Sequence, residues 1–218
     1  MRLTYYGHAS FLVETRAGTK AILDPYIHGC YDGAVRYDAI TDAADVVTAS
    51  HEHPDHCGFD SIAGEPLTFM QPRAESVGDL QITGIPVAHD ASGGAERGGN
   101  TIVILDDGDV RLVHLGDLGH PLDDDTVAAI GRVDVLLIPV GGFFTIDHAQ
   151  AAQVVELLQP SLVVPMHYKT DKIDFPITGV DAFLAGQSRV ERKESSTVEV
   201  TAATLPKERT VMVLSPRN

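Results

Sequence analysis

The most restrictive feature of this chain is the run Ser50-His51-Glu52-His53-Pro54-Asp55-His56-Cys57-Gly58. Three imidazoles and a carboxylate follow directly on Asp45–Ser50, a short apolar run that reads as a buried strand delivering a loop. His51 and His53 stand two apart, so in extended backbone they share a side. Asp55 and His56 come where Pro54 and Gly58 turn the chain, and so can face a second point nearby. Nitrogen donors with some carboxylate suit borderline-soft divalent ions, zinc first, manganese and iron also. With 10 histidines in 218 residues, chance produces this pattern only about 0.002 times per chain. A polar surface loop seldom concentrates imidazole in this way.

Around the run, the chain alternates short β-rich segments with later helices. Leu3–Tyr6, Phe11–Glu14 and Thr19–Asp24 read as strands, punctuated by Gly7 and by Ala17-Gly18. Leu80–Val87, Thr101–Asp106 and Val110–Leu115 read as three more, with a hairpin turn at Asp106-Asp107-Gly108-Asp109. Pro121–Gly131 opens with proline and three acids and ends on glycine, which predicts a helix. Asp147 is placed to cap a second helix through Ala149, Ala152, Val155 and Leu158 to Pro160. Val133–Val140 and Leu162–Pro165 are apolar enough to be buried on both faces of a sheet. Val180–Ala185 reads as a last short helix, and Val198–Thr204 and Thr210–Leu214 as closing strands. Sheets in both halves with helices outside imply layers around one core, a single domain over residues 1–218. The order of strands stays open.

The histidine run resembles the His-x-His-x-Asp-His signature of the metallo-β-lactamase-fold hydrolases. Further polar residues stand at strand ends in the order that family uses: His89 in Ile85-Pro86-Val87-Ala88-His89-Asp90, Asp117 in His114-Leu115-Gly116-Asp117, and His167 in Pro165-Met166-His167-Tyr168. Gly7-His8-Ala9-Ser10, Asp24-Pro25-Tyr26, Leu118-Gly119-His120 and Gly141-Gly142-Phe143-Phe144-Thr145 look like the compact branch that includes ascorbate-phosphate lactonase-like proteins. The resemblance implies an α+β fold, the four-layer αββα sandwich. Carried over residue by residue, it implies two divalent metal ions. His51, His53 and His89 would hold one, Asp55, His56 and His167 the other, and Asp117 would bridge them.

The activity so implied is hydrolysis of an ester-type bond (phosphodiester, phosphate ester or lactone) in a small metabolite, by hydroxide held at a dinuclear metal site. Asp55, Asp117, His120 and His8 are the catalytic candidates, the two histidines because imidazole titrates near neutrality. Two other readings stay open. One is a binding protein on the same fold that has lost its chemistry. The other is a diiron oxidoreductase, whose relatives place glutamate where this chain has His53 and carry a flavodoxin-like domain.

Outside that set, Asp24 is a candidate to brace the histidine loop from behind. Asn100 is read as a turn residue or an amide offered to substrate, and Lys169 as solvated or as an attractor of anions. His28, His114 and His148 read as structural, and Cys57 as a packing residue. Ser10 and Ser50 lack the surroundings of an activated nucleophile.

The bulk properties narrow the partners. Sixteen basic against thirty-one acidic residues give a formal charge of −15, which repels nucleic-acid backbones and anionic membranes. Small anionic substrates stay compatible, because bound cations would supply a local positive centre. Two cysteines, Cys30 and Cys57, are too few for a disulfide framework, and with no basic-then-apolar start the chain is read as cytoplasmic. The resemblance also makes a homo-oligomer an open expectation.

Overall fold

In the computed structural model, which describes residues 1–217, most strands near the middle of each sheet are apolar on both faces. Along β1 (Arg2–Gly7), Leu3 and Tyr5 join one buried cluster and Tyr6 another. The same parting runs through β2 (Ser10–Glu14), β3 (Lys20–Leu23) and β4 (Val46–Ala49). Phe11, Val13, Ala21, Leu23 and Val46 face inward, while Leu12, Ile22 and Val47 face the other way. A sheet buried on both faces needs a layer against each.

With edge strands β5 (Leu67–Met70) and β13 (Thr197–Glu199), these form a six-stranded sheet in the order β13-β1-β2-β3-β4-β5. The second sheet holds β6 (Ala74–Val77), β7 (Leu80–Ala88), β8 (Gly99–Asp106), β9 (Arg111–His114), β10 (Val135–Pro139), β11 (Leu162–Met166), β12 (Val190–Arg192) and β14 (Thr210–Val213). Its order is β12-β14-β11-β10-β9-β8-β7-β6. Pairing is antiparallel from β6 to β9 and parallel from β9 through β10, β11 and β14 to β12.

Between the sheets, Leu3, Phe11 and Leu23 pack against Val103, Leu105, Leu112, Leu137 and Val164. Each such side chain contributes about 1.5–3 kcal/mol when fully buried. The outer face of the second sheet, through Ile104, Val113, Leu136, Ile138 and Val163, is covered by helices. These are α2 (Asp124–Ile130), α3 (His148–Leu158) and α4 (Asp181–Leu184), contributing Ile130, Val154, Val155, Leu158 and Phe183. The outer face of the first sheet is covered by Tyr26, Val35, Tyr37, Ile40, Ile62 and Ile177. All but Ile177, which comes from the segment between β11 and α4, belong to loops around a single turn, α1 (Cys30–Gly33), and a 3-10 turn at Phe59–Ser61. The result is the expected layered α+β sandwich, with one outer layer made mostly of loop.

Several boundaries differ from the sequence reading. The first long helix starts at Asp124 rather than Pro121, because the Asp123 side chain accepts the Thr126 N–H and caps it there. Asp147 caps α3 as expected, and Gln150 completes a capping box. The strand expected at 198–204 ends at Glu199, since Thr201–Thr204 folds into a turn through Thr204 N–H on Thr201 O. Among the described residues no helix is long and apolar enough to cross a membrane.

Candidate metal centre

The strands bearing the candidate ligands end at one rim of the sandwich, where backbone bonds tie the loops together. His167 N–H donates to His8 O, Thr101 N–H to Ser50 O, and Gly119 N–H to Ala88 O. Asp24 turns out of β3 in left-handed backbone with φ 46°. Its Oδ1 accepts the Ser50 N–H at 2.8 Å, and its Oδ2 accepts the Ser50 hydroxyl at 2.6 Å and His56 Nδ1 at 2.8 Å. The Ser50 hydroxyl proton is thereby committed, so the oxygen takes its bond from His51 Nδ1 at 3.0 Å. Both imidazoles then carry a proton on Nδ1 and turn Nε2 inward. The sequence expectation that Asp24 braces this loop is met.

Asp117 follows β9 and sits among the rings. Its Oδ2 lies 3.2 Å from His167 Nε2, 3.4 Å from His89 Nε2 and 3.9 Å from His51 Nε2, and its Oδ1 lies 3.3 Å from His56 Nε2. Asn100 holds it there, accepting the Asp117 N–H at 3.0 Å and donating to Leu115 O at 2.9 Å. This corrects the reading of Asn100 as a turn or substrate-facing residue: it is buried in β8 and fixes the Asp117 loop. Glycine is needed at 119, where a Cβ would strike the backbone of His89 and Asp90.

The donors form two main groups, each within 4.8 Å: His51, His53 and His89; and His8, Asp55, His56 and His167. All seven expected ligands are therefore brought together, and His8 joins them. The residues fit divalent ions on an independent count. His51 Nε2, His56 Nε2 and Asp117 Oδ1 are buried without a hydrogen-bond partner, a costly state for polar atoms unless something else accepts their lone pairs. Burial pushes the His51 imidazole down to about 3 and that of His8 down to about 4, which keeps both neutral at pH 7. Burial would raise Asp117 and Asp55, but His167 and His56 hold the first well below the carboxylate range, and His56 and His8 lower the second. Burial would lower the His56 imidazole too, but Asp117 and Asp55 raise it well above its ordinary value, so a cation arriving here would displace its proton.

The proposed proton carriers are placed differently from expectation. His8, with φ 54°, is fully buried behind Asp55, its Nε2 2.9 Å from Asp55 Oδ2. It orients that carboxylate and has no surface for direct contact with substrate. His120 stays outside both groups, because Nδ1 donates to Pro121 O at 2.8 Å and Nε2 accepts the Ala88 N–H at 3.2 Å. With both nitrogens engaged, its ring serves the loop. His114 is structural as read, bonded to Ala9 O and to the Gly116 N–H, and His28 bonds Tyr37 O. Lys169 holds Asp174 and Phe175 O. Cys57 bonds Glu52 O, Ser10 bonds Leu23 O, and both cysteines are free.

A cavity of about 460 Å³ opens onto Asp55, Asp117, His53, His89 and His167, and its other walls are Tyr31, Ala34, Arg97, Phe144, Asp174 and Phe175. The sequence reading missed Tyr31, Arg97 and Phe175. Arg97 had one available signal: Asp90 followed by Gly93-Gly94 and Gly98-Gly99 marks an ordered loop beside His89. Nothing in the local pattern marks Tyr31 or Phe175, which arrive from loops distant in sequence.

The fold and the histidine–aspartate cluster define the class: a β-lactamase superfamily domain matches residues 2–167. A metal-dependent hydrolase of the UPF0173 family from Carboxydothermus hydrogenoformans is 34% identical, the match covering 83% of this chain and 88% of that protein. One from Pyrococcus horikoshii is 33% identical over 78% and 85% of the two chains. A crystal structure of a metallo-β-lactamase superfamily protein from Thermotoga maritima superposes with a TM-score of 0.80 at 33% identity, covering 98% of this chain and 97% of that one. The chain belongs to the UPF0173 family of metal-dependent hydrolases within the β-lactamase superfamily.

Proposed function

We propose that this protein hydrolyses an ester-type bond (phosphodiester, phosphate ester or lactone) in a small metabolite, at two divalent ions of which zinc is the first candidate. The observation that carries the reading is Asp117, whose two oxygens lie within 3.9 Å of ring nitrogens from both donor groups. In this reading His51, His53 and His89 would hold one ion, Asp55, His56 and His167 the other, with Asp117 a donor available to both. Ions bound there lower the pKa of water towards neutrality and polarise the oxygen of the bond under attack.

The chain's own contribution is to hold the donors still and to shape the space before them. Asp24 fixes the tautomers of His51 and His56, and His8 anchors Asp55. Phe144 and Phe175, both half-buried, make one side of the cavity apolar. The test is elemental analysis of purified protein, with close to two equivalents of zinc, manganese or iron expected, and a panel of phosphodiesters, phosphate monoesters and lactones. Asp117→Ala is expected to lower turnover by about a hundredfold or more. Protein that refuses these ions, or equal turnover by variant and parent, removes the reading.

A further inference from the structure

Of the residues that line the cavity, Arg97 alone is a cation, in a chain whose formal charge is −15. Its position is built. It follows β7 in the loop 90–98, where one carboxylate, that of Asp90, accepts four backbone N–H groups. Ser92 and Gly94 donate to Oδ1 at 2.8 and 2.9 Å, and Glu96 and Arg97 to Oδ2 at 3.0 and 2.7 Å. The loop is closed on the ligand strand by His89 N–H donating to Gly98 O at 3.0 Å. The Arg97 backbone is thus fixed relative to His89, eight positions before it.

The side chain is not spent on a structural contact. Among the described residues its one ionic neighbour is Glu96 at 3.8 Å, a glutamate whose side chain is 62% exposed. Such a pair at the surface holds a guanidinium weakly. The guanidinium carbon instead lies 5.7 Å from the centre of the Phe144 ring, within reach of a cation–π contact. Phe144 in turn meets Phe175 edge-on at 5.7 Å between centroids. One wall of the cavity is therefore aromatic, with a forked cation beside it and the candidate metal centre across the space.

We infer that Arg97 is the substrate-recognition residue of this cavity, and that its substrates are esters carrying an anionic oxygen group, carboxylate or phosphate, on a flat apolar body. The scissile bond faces the histidine–aspartate cluster, the body lies along Phe144 and Phe175, and the anionic group takes the guanidinium fork in place of water and Glu96. A planar fork matches two such oxygens at once, which a lysine does not. The inference deepens the hydrolase reading above and rests on it for the placement of the scissile bond.

The test separates the two. By isothermal titration, as-purified protein is expected to bind terephthalate at least about tenfold more tightly than 4-methylbenzoate, which keeps one carboxylate and the same ring. Arg97→Met should erase that preference, and Arg97→Lys should restore part of it. A phosphonate in place of the second carboxylate shows which oxygen group the fork prefers. In parallel, the preference in kcat/KM for mono(4-nitrophenyl) succinate over 4-nitrophenyl butyrate should fall about tenfold or more in Arg97→Met, chiefly through KM. An unchanged terephthalate preference in Arg97→Met, or none in the parent, overturns the assignment. If the parent hydrolyses neither ester, the hydrolase reading fails while the titration still decides the role of Arg97.

Discussion

The loop from His51 to His56 keeps its shape because one buried carboxylate, Asp24, takes three hydrogen bonds from it and beside it. Asn at this position keeps the size but offers one acceptor oxygen and turns an N–H₂ towards a donor. Asp24→Asn is therefore expected to lower metal affinity by about 10–100-fold, the usual effect of losing such a supporting partner. Chelator competition on folded variant reads this directly, and affinity equal to the parent's would show that His51 and His56 are held by other means. Residues of this kind were legible in sequence where chemistry and position coincide. Asp24 stands at a strand end before Pro25, and His89, Asp117 and His167 each close an apolar run. His8 was half legible: it joins the cluster, but only coordinates reveal that Asp55 stands between it and the cavity. His120 sits in a matching segment, yet its two nitrogens are taken by neighbouring backbone, which no residue pattern displays.

At the scale of elements, the site depends on loops approaching one another more closely than side chains allow. The turn after β9 passes against the end of β7 at Gly119, where any Cβ meets the backbone of His89 and Asp90. Gly119→Ala is expected to push these two ligand-bearing ends apart and to cost about 1–3 kcal/mol, the range of a small overpacking. Denaturant unfolding measures the cost and metal analysis the displacement; a variant with the parent's midpoint and metal content would show that the loops yield freely. The loop 90–98 gives a second element-scale outcome. Asp90→Ala removes the acceptor for four N–H groups, so amide exchange at Ser92, Gly94, Glu96 and Arg97 should quicken together while β7 keeps its protection. Strands such as β10 and β11 were legible because they are apolar throughout. By contrast β5 exposes Leu67, Thr68 and Met70 at a sheet edge between Pro66 and Pro72. β12 has only three residues, and the Gly78-Asp79 turn between β6 and β7 escaped because β6 alternates weakly. Edge strands bury little and leave little periodicity to read.

Over the whole molecule, the two-faced apolar pattern of the strands dictates layers but not neighbours: parity assigns a face to each side chain and says nothing of which strand lies alongside. That is why the sandwich was legible and the strand order was not. The same scale sets the energetic role of the metal. Asp24, Asp55 and Asp117 lie ionised and buried at one rim of a chain that already carries −15, and the one imidazole they raise, that of His56, does not offset three carboxylates. Cations held at this site would stabilise the folded arrangement by mass action, because only there do the residues that follow β4, β7, β9 and β11 meet. With free metal at about a hundred times Kd, each site adds about 2.7 kcal/mol. On the proposed two-ion reading, a chain of this length would gain about 10–20 °C in Tm. Calorimetry with and without chelator should show that fall, and restored zinc should reverse it. In Asp117→Ala, which severs the link between the two donor groups, chelator should lower Tm by much less than in the parent. A parent whose Tm ignores chelator would mean that these buried carboxylates are balanced by the protein alone.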